Sequence, residues 1–191
     1  MLSNHTRIDT VTPSERDRLF DVWESSVRAT HDFLMEHDLQ ELLPLVREAL
    51  TLVDPVYCTR DEHGCVVAFM FVHGGKIEML FVAPSHRGQG AGRALVEHAL
   101  NALRATAVDV NEQNPQAIGF YRRMGFEVSD PSGTDLQDND FPILQMTIRR
   151  DPARDARYLA IADDGRPSYC ATRVNPGVPR SGSNHHSRNG S

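Results

Sequence analysis

Ile77-Glu78-Met79-Leu80-Phe81-Val82-Ala83-Pro84-Ser85-His86-Arg87-Gly88-Gln89-Gly90-Ala91-Gly92-Arg93-Ala94-Leu95 is the stretch on which the reading of this chain turns. An apolar run stops at Pro84, three glycines follow at alternate positions, and an amphipathic pattern then resumes. That order reads as a strand, a tight loop and a helix. Small residues let backbone N–H groups approach a bound anion, and the positive end of the following helix reinforces them. Arg87 and Arg93 add charge beside the loop. Arg87, Gly88, Gln89, Gly90, Ala91, Gly92 and Arg93 therefore form a candidate phosphate cradle, although a tight turn alone would also use such glycines. A Walker loop ends in Gly-Lys-Ser/Thr, where this chain has Gly92-Arg93-Ala94. A dinucleotide fingerprint spaces its glycines G-x-G-x-x-G, and here they run G-x-G-x-G behind an antiparallel meander.

Working outward, residues 56–60, a Gly-ended turn at 61–64 and residues 65–72 read as a β-hairpin. His73-Gly74-Gly75 turns the chain again into a third strand at 76–82. Further upstream, Thr12-Pro13-Ser14-Glu15 is a helix start, and Leu19, Phe20, Trp23 and Val27 carry the helix over 13–29. Thr30-His31-Asp32 breaks it. Leu39, Leu42, Leu43, Val46 and Leu50 mark more helix, which Pro44 is expected to kink or restart. Downstream, a helix at 92–105, a strand at 107–110 and a helix at 115–124 follow. Asn114 opens the last helix and Gly125 stops it. Residues 126–128 and 143–149 are candidate final strands.

The chain has 191 residues, room for one domain at 1–149 and a tail at 150–191. The tail has no sustained apolar period, so disorder is expected there. At 40 % hydrophobic and 24 % charged residues the chain is globular, which excludes collagen-like and wholly disordered classes. It has no apolar run of membrane length and no leader-like N-terminus, so no membrane partner and a cytoplasmic location are expected. A net charge of -6 argues against nucleic acid as a partner. Lys76 is the single lysine. Cys58, Cys65 and Cys170 have no metal-ligand or disulfide spacing, so no metal is expected; Cys58 and Cys65 read as small buried apolar residues.

Two motifs together carry a resemblance. Arg87-Gly88-Gln89-Gly90-Ala91-Gly92 is similar to the R/Q-x-x-G-x-G/A signature of the GNAT superfamily of N-acetyltransferases. Asn111-Glu112-Gln113-Asn114, then Ala117, then the run from Phe120 to Phe126 resembles its second signature. The likeness covers residues 5–149, and the run from Trp23 to Leu34 resembles a YjaB-like bacterial group. It implies an α+β fold: a mixed, mostly antiparallel central sheet of six or seven strands flanked by helices, splayed between the fourth and fifth strands. It implies acetyl-CoA as cosubstrate, with the pyrophosphate on residues 87–93 and the pantetheine arm along Leu80, Phe81 and Val82. By the same resemblance Asn114 contacts that arm, Tyr121 points at the sulfur, and Thr30 and His31 sit in the region that shapes the acceptor site. Many members form homodimers; no stretch of this sequence marks an interface.

The implied chemistry is attack by a primary amine on a thioester. An amine with a pKa near 10.4 is mostly ammonium at neutral pH, so a group must accept its proton. Glu78, a carboxylate in an apolar strand, is the first candidate, and Glu112 is its rival. Period-two alternation groups Glu78 with Leu80 and Val82, and Ile77 with Met79 and Phe81. A backbone N–H near Phe81 would hold the oxyanion, and Tyr121 would protonate the leaving thiolate. Each residue has a plainer reading as well: strand-end acid for Glu78, loop acid for Glu112, core aromatic for Tyr121, helix cap for Asn114 and capping residue for His31. The acceptor is a protein lysine or a small-molecule amine. An acyl-CoA sensor without catalysis and a nucleotide-phosphate binder of another fold are the competing classes.

Overall fold

The computed structural model describes residues 7–129 and 142–148; the expected tail at 150–191 lies outside the described residues. Seven strands form one sheet: β1 Asp9–Thr10, β2 Val56–Arg60, β3 Val66–His73, β4 Lys76–Val82, β5 Ala107–Asn111, β6 Glu127–Val128 and β7 Ile143–Thr147. Their order is β1-β2-β3-β4-β5-β7-β6. Every neighbouring pair is antiparallel except β4 and β5, which are parallel. The hairpins follow from Gly64 (φ 81°) and the Gly74-Gly75 pair, whose positive φ values only glycine adopts without strain. The α+β class with seven strands is the architecture expected from the sequence.

Four helices cover the sheet: α1 Arg16–Arg28, α2 Glu36–Leu52, α3 Ala91–Asn101 and α4 Pro115–Arg123. From Ala68 on, alternate β3 residues divide the core between the two faces, and a register shift at Val67 puts Val66 on the face of Phe69. Val66, Phe69 and Phe71 join Leu19, Trp23, Leu42, Val46 and Leu50 under α1 and α2. Ala68 and Met70 join Leu95, Val96, Ala99, Tyr121 and Phe126 under α3 and α4.

Several local expectations need correction. The chain enters α1 through a 3-10 turn at Pro13–Glu15, where the Glu15 carboxylate accepts from the Thr12 N–H at 2.9 Å. Pro44 does not restart a helix, because α2 runs unbroken across it. A proline inside a helix costs about 3 kcal/mol. Buried Leu42 and Leu50 contribute about 1.5–3 kcal/mol each, and Pro44 lies on the exposed side. Helix α3 ends at Asn101 instead of 105: Arg104 takes φ 60°, and the Ala105 N–H folds back to the Ala99 carbonyl at 2.9 Å. Cys58 is buried as expected, but Cys65 is exposed in the turn before β3.

The most consequential correction concerns β4. Phe71 pairs with Met79 and Val72 pairs with Ile77, so Glu78 is an extra residue, a β-bulge. The bulge resets the alternation. Ile77 packs with Leu80 and Val82 under α3 and α4, while Met79 and Phe81 pack under α1 and α2. Simple period-two counting had placed Ile77 with Met79.

Candidate active site

Strands β4 and β5 are paired only at Lys76 with Ala107 and Ile77 with Val108. Past the bulge they part, and β5 continues its pairing with β7 on its other side. The expected splay between the fourth and fifth strands is therefore present, and its vertex lies at the Glu78 bulge. The Ala83 N–H donates to the Val67 carbonyl at 2.8 Å, which sets the phase of the β3–β4 ladder. Phe81 pairs with Phe69 two residues earlier. Alternation then turns the Phe81 amide toward β3 and the amides and carbonyls of Leu80 and Val82 toward the open edge. The N–H groups near Phe81 that face the gap are those of its two neighbours.

Lys76 pins the vertex. Its Nζ lies 2.7 Å from Asp109 Oδ2 on β5 and 3.2 Å from Glu78 Oε2 on β4. Burial opposes its charge, but the hydrogen bonds from Asp109 and Glu78 outweigh burial and raise its pKa above the usual lysine value. Glu78 is thus half of an ion pair across the vertex. Glu112, just past β5, is exposed and has no ion-pair partner among the described residues. The sequence marks Lys76 only as the single lysine and does not join it to Asp109. The strand pairing that joins them was not visible from local pattern.

At the open end, a 3-10 turn at Pro84–His86 leads into the glycine loop. Gly88 and Gly90 take φ values of 74° and 95°, and Gly90 is the N-cap of α3. The last loop amides with backbone acceptors are His86, bonded to Ala83, and Arg87, bonded to Pro84; the next is Ala94, bonded to Gly90. The six consecutive amides from Gly88 to Arg93 have no acceptor among the described residues. A Cβ built on Gly88 or Gly90 meets nothing within 4 Å, so the loop faces open space. Arg93 gives its Nε to Glu97 at 2.7 Å, while Arg87 has no ion pair among the described residues. This is an anion cradle at a helix N-terminus, with the free strand edge of Leu80 and Val82 leading up to it.

Helix α4 closes the other wall. Asn114 is its N-cap: the side-chain Oδ1 accepts from the Ala117 N–H at 3.0 Å. Its amide NH2 has no acceptor among the described residues. Tyr121 is buried, with ring centroids 5.1 Å from Phe120 and 5.5 Å from Phe126. Its hydroxyl has no hydrogen-bond partner among the described residues, and burial pushes the phenol well above its usual pKa. Tyr121 therefore keeps its proton at neutral pH and is a hydrogen-bond and proton donor, not an acceptor.

On the opposite face, the turn between α1 and α2 carries Thr30 and His31. Thr30 Oγ1 donates to the Ser26 carbonyl at 2.8 Å and lies 2.9 Å from His31 Nδ1. The His31 ring is half-buried and lies 5.2 Å from that of Phe33. Burial lowers its pKa; the Val27 carbonyl and Asp32 oppose this, and Arg87 adds to it. The acceptor-side turn is thus near enough to the glycine loop to feel its charge. Among the described residues no group of three or more His, Cys, Asp or Glu is placed to hold a metal ion. No helix among them is long and apolar enough to cross a membrane.

Comparison with known proteins agrees with this geometry. A family model described as an acetyltransferase (GNAT) domain matches residues 54–128. The peptidyl-lysine N-acetyltransferase YjaB of Salmonella typhimurium LT2 is 40 % identical over 132 residues, covering 69 % of this chain and 90 % of that protein. Its counterpart in Escherichia coli K12 is 41 % identical over 132 residues, covering 69 % and 89 %. The solution structure of apo YjaB from E. coli superposes with a TM-score of 0.67 at 38 % identity, over 76 % of this chain and 98 % of that one. The PaiA N-acetyltransferase of Thermoplasma acidophilum, solved with coenzyme A, shares the fold at a TM-score of 0.59 and 15 % identity, over 74 % and 98 %.

Proposed function

Because the chain belongs to the GNAT family of N-acetyltransferases, we propose that it transfers the acetyl group of acetyl-CoA directly to lysine side chains of proteins, within a ternary complex. The observation that carries this reading is the parting of β4 from β5 just ahead of six consecutive amides without acceptors. A diphosphate fits those amides and Arg87, and an amide-bearing arm fits the free edge of Leu80 and Val82. Asn114 has donor capacity left after capping α4, which suits it to the same arm.

The chain's residues then divide the work. The edge N–H groups of Leu80 and Val82 are aimed where a thioester oxygen gains charge. Tyr121, protonated and without a partner, supplies a proton to the leaving sulfur. Thiol pKa values near 8.5 make that proton helpful without being indispensable. Glu78 and Glu112 stand beside the gap. Their charge draws in an ammonium group, and each is a candidate to take its proton through water. Glu78 is the weaker of the two for that task, since Lys76 already holds one of its oxygens.

The lysine acceptor is supported by the YjaB relatives, which are named for peptidyl-lysine transfer, and by the chain's net charge of -6, which favours cationic partners. The test is a mass-spectrometric screen with isotope-labelled acetyl-CoA against lysine peptides and a panel of small amines. Acetylated lysine side chains are expected. Label only on small amines would move the acceptor to that class. Acetyl-CoA binding with no labelled product would make the chain a sensor.

A further inference from the structure

We propose that His31 is the group that takes the proton from the attacking amine, with Thr30 as its positioning residue. The proposal rests on the acetyltransferase reading and names the proton acceptor within it. The hydrogen bonds leave one arrangement of protons. The Ser26 carbonyl can only accept, so the Thr30 hydroxyl spends its single proton there, at 2.8 Å. The contact of 2.9 Å between Thr30 Oγ1 and His31 Nδ1 must then be made by a proton on Nδ1. That puts the neutral ring's proton on Nδ1 and leaves the lone pair on Nε2; the Val27 carbonyl, which favours the charged ring, is the other backbone group acting on it. An orienting hydrogen bond on one ring nitrogen and a free acceptor on the other is what a general base requires.

Its position supports the same role. Helix α1 ends above β4 on the face of Met79 and Phe81, and Leu34, three residues past His31, packs onto the same core as Phe81. The charged groups acting on the ring are Arg87 of the glycine loop and Asp32 of its own turn. His31 therefore lies near enough to the candidate phosphate cradle for Arg87 to act on its ring, on the side of the sheet that α1 and α2 cover. Chemistry favours it over the carboxylates. In free peptides an imidazole is about 2 pKa units more basic than a carboxylate, so it is roughly a hundredfold better matched to an ammonium proton. Glu78 is engaged by Lys76, whereas burial favours the neutral, proton-accepting form of His31.

The step balances as follows. His31 Nε2 takes one proton from the acceptor ammonium and later releases it to solvent. The freed nitrogen bonds to the acetyl carbon and the carbon–sulfur bond breaks. The nitrogen's second proton leaves to water, the Tyr121 hydroxyl proton passes to the thiolate, and Tyr121 is refilled from water.

The experiment compares wild type, His31→Asn, His31→Ala, Thr30→Val and Glu112→Gln on a peptide with a free lysine side chain, with acetyl-CoA affinity measured by calorimetry on each. His31→Asn should lose about a hundredfold in kcat while binding acetyl-CoA like wild type. Wild-type kcat/KM should rise through an inflection below pH 6.5, where His31 loses its proton, and His31→Asn should lack that inflection. Added imidazole should restore part of the turnover of His31→Ala. Thr30→Val should lower kcat with KM little changed. Wild-type kcat and an intact inflection in His31→Asn would overturn the proposal, and loss of the inflection in Glu112→Gln instead would transfer the role. A wild type that turns over no amine would fail at the earlier level, the acetyltransferase reading itself.

Discussion

Replacing Gly90 with alanine separates what the glycine loop does from what any glycine turn does. Gly90 has φ 95°, and a Cβ there would meet nothing within 4 Å. The substitution therefore introduces no clash, only the cost of holding an L-residue in the left-handed region, about 1–2 kcal/mol. Two outcomes are open to the variant. If the loop keeps its shape, the whole cost appears as lower stability and the cradle still binds. If the free loop relaxes, the cost is deferred to binding, and coenzyme A affinity falls by about 5–30-fold. The loop is exposed and its amides from Gly88 to Arg93 are without acceptors, so little opposes relaxation and the second outcome is expected. Gly64→Ala is the control. Its φ is 81°, its surroundings are equally empty, and it lies in the β2–β3 turn, outside the run of amides without acceptors. It should lower the unfolding free energy by the same amount and leave affinity unchanged. Calorimetric titration with coenzyme A and urea unfolding of both variants measure the two quantities. If Gly90→Ala bound coenzyme A as tightly as Gly64→Ala does and lost no stability either, the claim that this loop's amides grip the diphosphate would fail.

Tyr121→Phe should lower kcat by up to about a hundredfold and leave acetyl-CoA affinity intact; an unchanged kcat in single-turnover assays would remove Tyr121 from the chemistry. Lys76→Met leaves Asp109 and Glu78 facing each other without their cation, so it should destabilise the fold by about 0.5–1 kcal/mol in urea titrations, and Lys76→Arg should cost less. Glu15 is ion-paired with Arg60, whose hydrogen bond, together with those from Thr12, brings its pKa from 4.5 to about 2. A depressed carboxylate stabilises the fold above its unfolded pKa and loses that contribution as pH falls through its folded one, so acid unfolding should draw on Glu15 between about pH 4.5 and 2. Glu15→Gln should flatten the stability-versus-pH curve in that window; an unchanged slope would refute the pairing.

How much of this was legible in the sequence depended on how local each cause was. Thr12-Pro13-Ser14-Glu15 and Gly125 act within one turn, and the structure starts and stops helices there. The glycine loop was legible because its φ demands are written into residue type. The Glu78 bulge was not, since it exists only in the register between two strands, and it moved Ile77 to the other face. Helix on both sides of Pro44 was legible, but that α2 runs on without a restart was not, because tertiary burial of Leu42 and Leu50 overrides a local penalty. Cys65 was misread because an apolar neighbourhood in sequence is not a buried one. The Lys76–Asp109 contact bridges residues 33 apart, and only strand pairing brings them together. The Thr30–His31 relay joins neighbours, yet its proton arrangement depends on where the Ser26 carbonyl points, one helical turn back.

The division of the core explains why the splay is the one place for this chemistry. A continuous sheet is a wall: the groups on its two faces are separated by a closed ladder of backbone hydrogen bonds. Tyr121 belongs to the core under α3 and α4, and the turn carrying His31 lies on the side of α1 and α2. A proton donor and a proton acceptor on opposite faces can reach one reacting carbon only where that ladder is open. The β4–β5 ladder is closed at Lys76 and Ile77, and the Glu78 bulge ends it there. Lys76, held by one carboxylate from each strand, keeps the opening from migrating toward the N-terminal end of β4. The same bulge that defeats alternation in the sequence thus fixes where the two faces meet, and keeps acid and base apart until a substrate fills the gap between them.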